Sequence, residues 1–135
     1  MANAETERLA AKRPLSPHLT IYKPMLTMMM SIAHRITGAG LYVGALLLAL
    51  FFLGVALGGG AYGAVSWIAS GFVGHAIVFL FTWAVFHHLL GGVRHALWDR
   101  GVYMDPKGRE FLVQATLGGG IALTMLLWII STLAN

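Results

Sequence analysis

The sequence of 135 residues contains no cysteine and carries almost no charge over most of its length. The absence of cysteine excludes disulfide bonds, thiolate metal sites and iron–sulfur clusters ligated by this chain. Charged residues make up 10% of the chain, whereas soluble domains carry about 25%. Every Asp, Glu, Lys and Arg lies in residues 5–35 or 94–110. The composition therefore argues against an ordinary soluble domain and favours a membrane protein.

Two uncharged runs determine the number of predicted membrane spans. The run 36–93 has 58 residues and the run 111–135 has 25. Since a helix needs about 20 apolar residues to cross the hydrocarbon core, the first run accommodates two spans and the second accommodates one. The sequence thus predicts an all-α membrane protein with three transmembrane helices. The predicted bounds are 1–30 for an N-terminal polar, interfacial segment and 31–57, 64–98 and 111–133 for the helices of one domain over 31–135.

The positions of the basic residues predict the orientation. All nine Lys and Arg residues lie in the N-terminal segment, in the loop 99–110 or at adjoining helix ends, whereas the other loop and the C-terminus carry none. By the positive-inside rule, the N-terminus lies on the cytoplasmic side of a bacterial inner membrane, or on the matrix side of a mitochondrial one. The net charge of +4 therefore reflects membrane topology and gives no indication of nucleic-acid binding.

Two histidines, an arginine and an aspartate lie within the twelve residues His88–Asp99. At 3.6 residues per turn, His88 and His95 project from nearly the same helix face. Ala84 and Gly91 on that face leave room for a flat, wide ligand such as haem, for which a neutral imidazole is an axial ligand. A histidine in a membrane helix also hydrogen-bonds neighbouring helices, and glycine also serves close packing. Spacing alone leaves both interpretations open.

The other histidines are weaker candidates for that ligand. His87 points about 100° away from His88 around the helix. His75 lies ~20 Å toward the outer side and is interpreted as a packing or interface histidine, with a second haem as the alternative. The third helix has no histidine, and His34 lies near the membrane surface. A bis-histidine haem would therefore take its second ligand from another subunit.

A second polar cluster begins the first helix. Ser31, His34 and Arg35 are spaced at i, i+3 and i+4 and project from one side. An arginine at the centre of a membrane helix costs roughly 2.5–3.5 kcal/mol and less near its end. An anionic partner such as a haem propionate would offset this cost, and Asp99 is predicted to pair with Arg94. Snorkelling to lipid headgroups is the alternative.

The chain resembles the succinate dehydrogenase cytochrome b556 subunit family, the larger membrane anchor of respiratory complex II. The resemblance covers nearly the whole chain and depends on three motifs that occur in family order. They are Arg13-Pro-Leu-Ser-Pro-His-Leu-x-Ile-Tyr, Ser31-x-x-His-Arg35-x-Thr-Gly38 and His88-x-x-x-Gly-Val-Arg-His95-x-x-Trp-Asp99-x-Gly101. One departure is Ala96, where the family usually has a bulkier aliphatic residue.

The resemblance implies a role for each motif residue. His88 would be the axial ligand of haem b, and Ser31 and Arg35 would form part of a ubiquinone pocket. His34, Arg35 and His95 would lie near the haem propionates. No catalytic residue for succinate oxidation is expected here, because that reaction takes place on a flavoprotein subunit.

The resemblance also implies three partners: the flavoprotein, an iron–sulfur protein and a second small membrane anchor that shares the haem. A fumarate reductase-type anchor working in the reverse direction is one alternative. A haem-free structural anchor is another. The absence of Asp and Glu from the predicted spans argues against a proton pump.

Overall fold

The computed structural model describes residues 2–11 and 22–134, and its regular structure is entirely α-helical. Its five helices are α1 Ala2–Ala11, α2 Leu26–Leu57, α3 Gly59–Ser70, α4 Phe72–Asp99 and α5 Pro106–Leu133. Three of them, α2, α4 and α5, are long and apolar enough to cross a membrane. The predicted three-span, all-α architecture is therefore confirmed. Most of the proline-rich motif that begins at Arg13 lies outside the described residues.

Helix α4 lies at the centre of the packing. It contacts α2 on one side and α5 on another, and α3 packs against its beginning. Helix α2 also contacts α3 and α5. The side chains of α4 are consequently divided between two interfaces, one with α2 and one with α5. This division positions the candidate site.

The single helix predicted over 64–98 is divided in the structure. Gly71 has an extended backbone, with φ −75° and ψ 166°, and separates α3 from α4. A Cβ atom on Gly74 would overlap backbone carbonyls at the end of α3, so only glycine permits this close approach. The remaining 28 residues of α4 span ~42 Å, which is closer to the membrane thickness than the predicted helix was.

Two helices begin about five residues before their predicted starts. Helix α2 begins at Leu26, after an extended Met25 that makes no side-chain capping bond. Helix α5 begins at Pro106, where a proline is favoured because the first helical N–H has no partner in any case. The Asp105 side chain caps this end by accepting a hydrogen bond of 3.0 Å from the backbone N–H of Gly108. The charged residues just before the predicted start of the third span therefore lie in the first turns of α5.

The interior is polar and the exterior apolar. The largest fully buried side chains are Arg94, His87, Val113 and Thr124. Most large apolar side chains, among them Leu46, are exposed instead. The buried Thr124 hydroxyl donates to a carbonyl of its own helix, one turn earlier, so that group needs no other partner. This inverted distribution suits a bundle surrounded by lipid.

Candidate functional site

Three imidazole rings from α2 and α4 lie together near the charged ends of these helices. The rings of His34 and His88 are parallel to within 1°, and their centroids are 4.0 Å apart. The ring of His95 is tilted by 52° and lies 5.1 Å from that of His34. His34 and His88, which are 54 residues apart in the sequence, therefore lie together with His95 in what we call the histidine cluster.

Two glycines on the facing helices allow the imidazoles to approach. A Cβ atom on Gly38 of α2 would lie 2.9 Å from Cε1 of His88. A Cβ atom on Gly91 of α4 would overlap the ring of His34. The space beside Gly91, expected from the sequence to receive a flat ligand, is filled by the His34 imidazole. A ligand of His88 would therefore have to bind at one of the ring nitrogens of His88, because the space beside Gly91 is occupied.

The two nitrogens of His88 have different environments. Nδ1 lies 3.1 Å from the backbone oxygen of His34 and 3.5 Å from the hydroxyl of Thr37. A carbonyl oxygen only accepts, so the shorter contact is a hydrogen bond when Nδ1 carries the proton. Nε2 makes no hydrogen bond and is not enclosed. The tautomer that this contact favours leaves a lone pair on Nε2, as a metal ligand requires.

His87 lies in the opposite interface. Its side chain has no exposed surface, and its ring stacks on that of Trp83 with a centroid distance of 5.1 Å. Gly120 of α5 packs so closely that a Cβ atom there would lie 3.3 Å from the Cα of His87. Both ring nitrogens lack a hydrogen-bond partner. No space beside this imidazole admits a ligand as large as a porphyrin.

Ser31 and Arg35 lie one turn apart at the start of α2, as their spacing predicted. Nη2 of Arg35 donates a hydrogen bond of 3.3 Å to the Ser31 hydroxyl oxygen. Ser31 also lines a cavity of about 360 Å³ between the ends of α2, α4 and α5. This volume falls within the usual range for small-molecule sites. The lining residues are Thr27, Met28, Ser31, Trp98, Met104 and Arg109.

Of these lining residues only Ser31 was assigned to a site from the sequence, and two polar ones that were given no role are Trp98 and Arg109. The ring of Trp98 lies edge-on to that of His95 at 5.4 Å, and its indole nitrogen has no hydrogen-bond partner. Trp98 thus links the histidine cluster to the cavity. Arg109 reaches the cavity from the first turns of α5, and the Asp105-Pro106 helix start was the sequence feature that could have indicated it.

Arg94 and Asp99 do not form the predicted ion pair. Arg94 is 2% exposed, and its Nε and Nη1 atoms have no hydrogen-bond partner. Its guanidinium carbon lies 5.2 Å from the centroid of the Trp98 ring, within cation–π range. Asp99 is exposed at the end of α4. Their separation of five positions places the two side chains on different sides of the helix.

His75 lies in the first turn of α4, at the far end from the histidine cluster. It is exposed, and its Nδ1 lies 3.0 Å from the backbone oxygen of Gly71. Within residues 2–11 and 22–134, no group of three or more His, Cys, Asp or Glu side chains could hold a bare metal ion.

Comparison with known proteins identifies the family to which this chain belongs. Residues 10–130 match the family described as succinate dehydrogenase/fumarate reductase transmembrane subunit. The match covers every residue of the histidine cluster and the cavity. The resemblance inferred from the three sequence motifs is thereby confirmed.

Curated relatives carry consistent names. A succinate dehydrogenase cytochrome b556 subunit from Paracoccus denitrificans is 33% identical over 118 residues, covering 87% of this chain and 91% of the relative. A cytochrome b560 subunit of succinate dehydrogenase from Reclinomonas americana is 37% identical over 123 residues, covering 87% and 85%. Another from Marchantia polymorpha is 41% identical over 103 residues, covering 69% and 72%.

Proposed function

The chain belongs to the succinate dehydrogenase/fumarate reductase transmembrane subunit family, and on this premise we propose that it ligates haem b and forms part of a ubiquinone-reduction site. Its relatives are named as cytochrome b subunits of succinate dehydrogenase, and the chain is a membrane subunit of that enzyme. It forms half of a two-subunit anchor bundle. Succinate oxidation itself takes place on the flavoprotein subunit.

His88 is the proposed axial ligand of the haem. The observation that carries this proposal is the contact of its Nδ1 with the His34 carbonyl at 3.1 Å, which leaves Nε2 unpaired and accessible. A hydrogen bond from the other ring nitrogen commonly orients a metal-bound histidine. The haem supplies a one-electron redox centre when bound. A second histidine for the haem would be supplied by the second membrane anchor.

Basic side chains on the same side of α2 and α4 suit the haem propionates. Arg35 is exposed at the start of α2, and His34 and His95 lie within the histidine cluster. Arginine binds carboxylates through paired, charge-assisted hydrogen bonds. We assign the propionate contacts to these three residues, at the inner end of the bundle.

The cavity lined by Ser31 is the proposed site of the quinone head group. Arg35 donates a hydrogen bond to the Ser31 oxygen, so the serine hydrogen remains free to donate to a quinone carbonyl. Arg35 and Arg109 provide positive charge near the carbonyl oxygen, where negative charge develops during reduction. Each quinone takes up two electrons from the iron–sulfur subunit and two protons from the aqueous phase to become quinol.

The charge distribution supports the proposed assembly and orientation. The basic N-terminal segment and the loop between α4 and α5 face the bacterial cytoplasm, or the matrix in mitochondria. The flavoprotein and the iron–sulfur protein dock on this side, next to the cavity. The fumarate reductase direction stays as the second candidate, because the family description names both enzymes. No partner of this assembly is a nucleic acid.

Optical spectroscopy of the purified complex tests the haem assignment. We expect a b-type band in the reduced-minus-oxidised spectrum of the native complex and its loss in His88→Gly. Added imidazole should restore the band in that variant, because it replaces the missing ligand inside the same pocket. His75→Gly is the matched control on α4, and it should keep the band without imidazole.

Three results would contradict the assignment. A native complex without a b-type band would identify a haem-free anchor. A full band in His88→Gly before imidazole is added would move the ligand to another residue. Loss of the band in His75→Gly alone would indicate that the haem binds near His75, on the outer side of the bundle.

A further inference from the structure

Arg94 is a buried cation without a counter-charge. Only 2% of its surface is exposed, and its Nε and Nη1 atoms are enclosed without a hydrogen-bond partner. A buried charge is strongly unfavourable unless it is paired and hydrogen-bonded. The ring of Trp98 attracts the guanidinium, but it accepts no hydrogen bond in the plane of the donors. The site therefore lacks an anion.

The missing anion does not come from the described part of the chain. Asp99, the nearest acidic residue on α4, is exposed and unpaired with Arg94. Thr116 lies nearby on α5, but its hydroxyl carries no charge, and the enclosed Nε and Nη1 atoms of Arg94 are not hydrogen-bonded to it. Neither residue neutralises the guanidinium.

The proposed haem would also be held on a different side of the helix from Arg94. Arg94 and His88 are six residues apart, which rotates their side chains by about 120° relative to each other. His88 packs against Gly38 of α2, whereas Arg94 borders a cavity between α4 and α5. An anion for Arg94 must approach from the α5 side of α4.

The cavity at Arg94 has the composition of a lipid site. Its volume is about 110 Å³, large enough for a phosphate group, and aliphatic side chains form most of its wall. It borders the exposed side chain of Val93, so it opens toward the surrounding membrane. Arg94 itself lies within the last two turns of α4, at the end of the helix that carries the exposed Asp99 and Arg100. The lining residues are Leu90, Val93, Arg94, Leu97, Leu112, Ala115 and Thr116.

We propose that this cavity binds the phosphate of an anionic phospholipid from the inner leaflet. Nη2 of Arg94, which is not among the enclosed guanidinium nitrogens, donates a charge-assisted hydrogen bond to a phosphate oxygen. An acyl chain packs along Leu90, Val93 and Leu97 of α4. The lipid then neutralises the buried charge and fills the groove between α4 and α5. This site is independent of haem ligation and of the quinone cavity.

Lipid retention by the purified complex tests the proposal. The complex is reconstituted in nanodiscs of phosphatidylcholine with or without phosphatidylglycerol, and retained lipids are identified by native mass spectrometry. We expect the native complex to retain phosphatidylglycerol and to melt at a higher temperature when it is present. Arg94→Gln should bind it roughly tenfold more weakly, as expected for the loss of charge-assisted hydrogen bonds. Arg100→Gln, an exposed arginine at the same end of α4, is the matched control.

Two further variants separate the possible anions. Arg94→Lys keeps the positive charge and should retain part of the phosphatidylglycerol effect. Arg94→Met keeps much of the volume and removes the charge. If no lipid neutralises Arg94, this variant should be more stable than the native complex in both lipid mixtures, which would overturn the proposal.

Two other outcomes would also overturn it. Full stabilisation by inorganic phosphate in detergent, with no additional effect of phosphatidylglycerol, would identify a free-anion site. A shift of the haem band or of its midpoint potential in Arg94→Gln, with unchanged lipid retention, would assign the guanidinium to a haem propionate. Unchanged haem properties together with lost lipid retention support the phospholipid.

Discussion

The adjacent histidines His87 and His88 lie on two different faces of α4, and their surroundings differ. On the face toward α2, His88 is half-buried, and its Nδ1 approaches a carbonyl while Nε2 stays open. On the face toward α5, His87 is fully enclosed and both its nitrogens are unpaired. The two side chains are chemically identical and differ only in their surroundings.

The comparison shows that one imidazole of α4 keeps an open ring nitrogen while its neighbour is closely packed. The α2 face carries the proposed haem ligand and a histidine cluster, and the quinone cavity adjoins it. Around His87 the α5 face is closed by Gly120, whose missing side chain lets the backbones of α4 and α5 approach closely, whereas the cavity at Arg94 lies on the same face nearer the end of α4. A side chain on the incompletely packed face keeps atoms free to bind a ligand. Close packing on the other face contributes to the rigidity of the bundle.

The largest expected effect comes from opening the closed face. In Gly120→Leu the new side chain has no space beside the backbone of His87, so we expect a loss of about 3 kcal/mol of stability and little assembled complex. Gly118→Leu is the matched control, because a Cβ atom on Gly118 meets nothing within 4 Å. Immunodetection of the subunit in membranes and thermal melting measure the difference. Equal accumulation of the two variants would refute the tight closure of this face.

An intermediate effect is expected at the quinone cavity beside the open face. Ser31→Ala removes the proposed donor to the quinone carbonyl, so kcat/KM for ubiquinone should fall roughly tenfold. Arg35→Ala should act in the same direction. Succinate oxidation with an artificial acceptor should persist, since it needs no quinone. Ser70→Ala, at the opposite end of the bundle from Ser31, serves as the control.

The outcome at the quinone cavity has a clear alternative. A parallel fall of both activities in Ser31→Ala would assign this serine to assembly of the complex. Unchanged quinone reduction in Ser31→Ala and Arg35→Ala would remove the quinone from this cavity.

The smallest expected effect comes from replacing the enclosed histidine. His87→Leu has nearly the same volume and removes two unpaired nitrogens, so stability should stay within ~1 kcal/mol of the native value. The b-type band should be unchanged. Difference spectra and melting curves of the purified complex measure both. Loss of the b-type band in a correctly folded His87→Leu complex would indicate that His87, and not His88, is the haem ligand.

The sequence predicted the features that depend on hydropathy and helical spacing. The number of spans followed from two uncharged runs, and the contact between Ser31 and Arg35 followed from their one-turn separation. The direction of His87 away from His88 also followed from the helical rotation of 100° per residue. These features are local, or they depend on the membrane alone.

Features that depend on contact between helices were less accessible. The division at Gly71 lies inside an apolar run with many glycines, where no local pattern separates a break from close packing. The space at Gly91 depends on a ring from another helix, His34. The predicted pair of Arg94 and Asp99 ignored the rotation between them. In each case the deciding neighbour is distant in sequence.

The inverted distribution of polarity has a practical consequence for protein engineering. Because most large aliphatic side chains of the isolated chain point outward, a water-soluble analogue would be sought by redesigning the part of its coat that no partner covers. Recoding the exterior leucines and valines as glutamates and lysines would leave the inner threonines, histidines and glycines untouched.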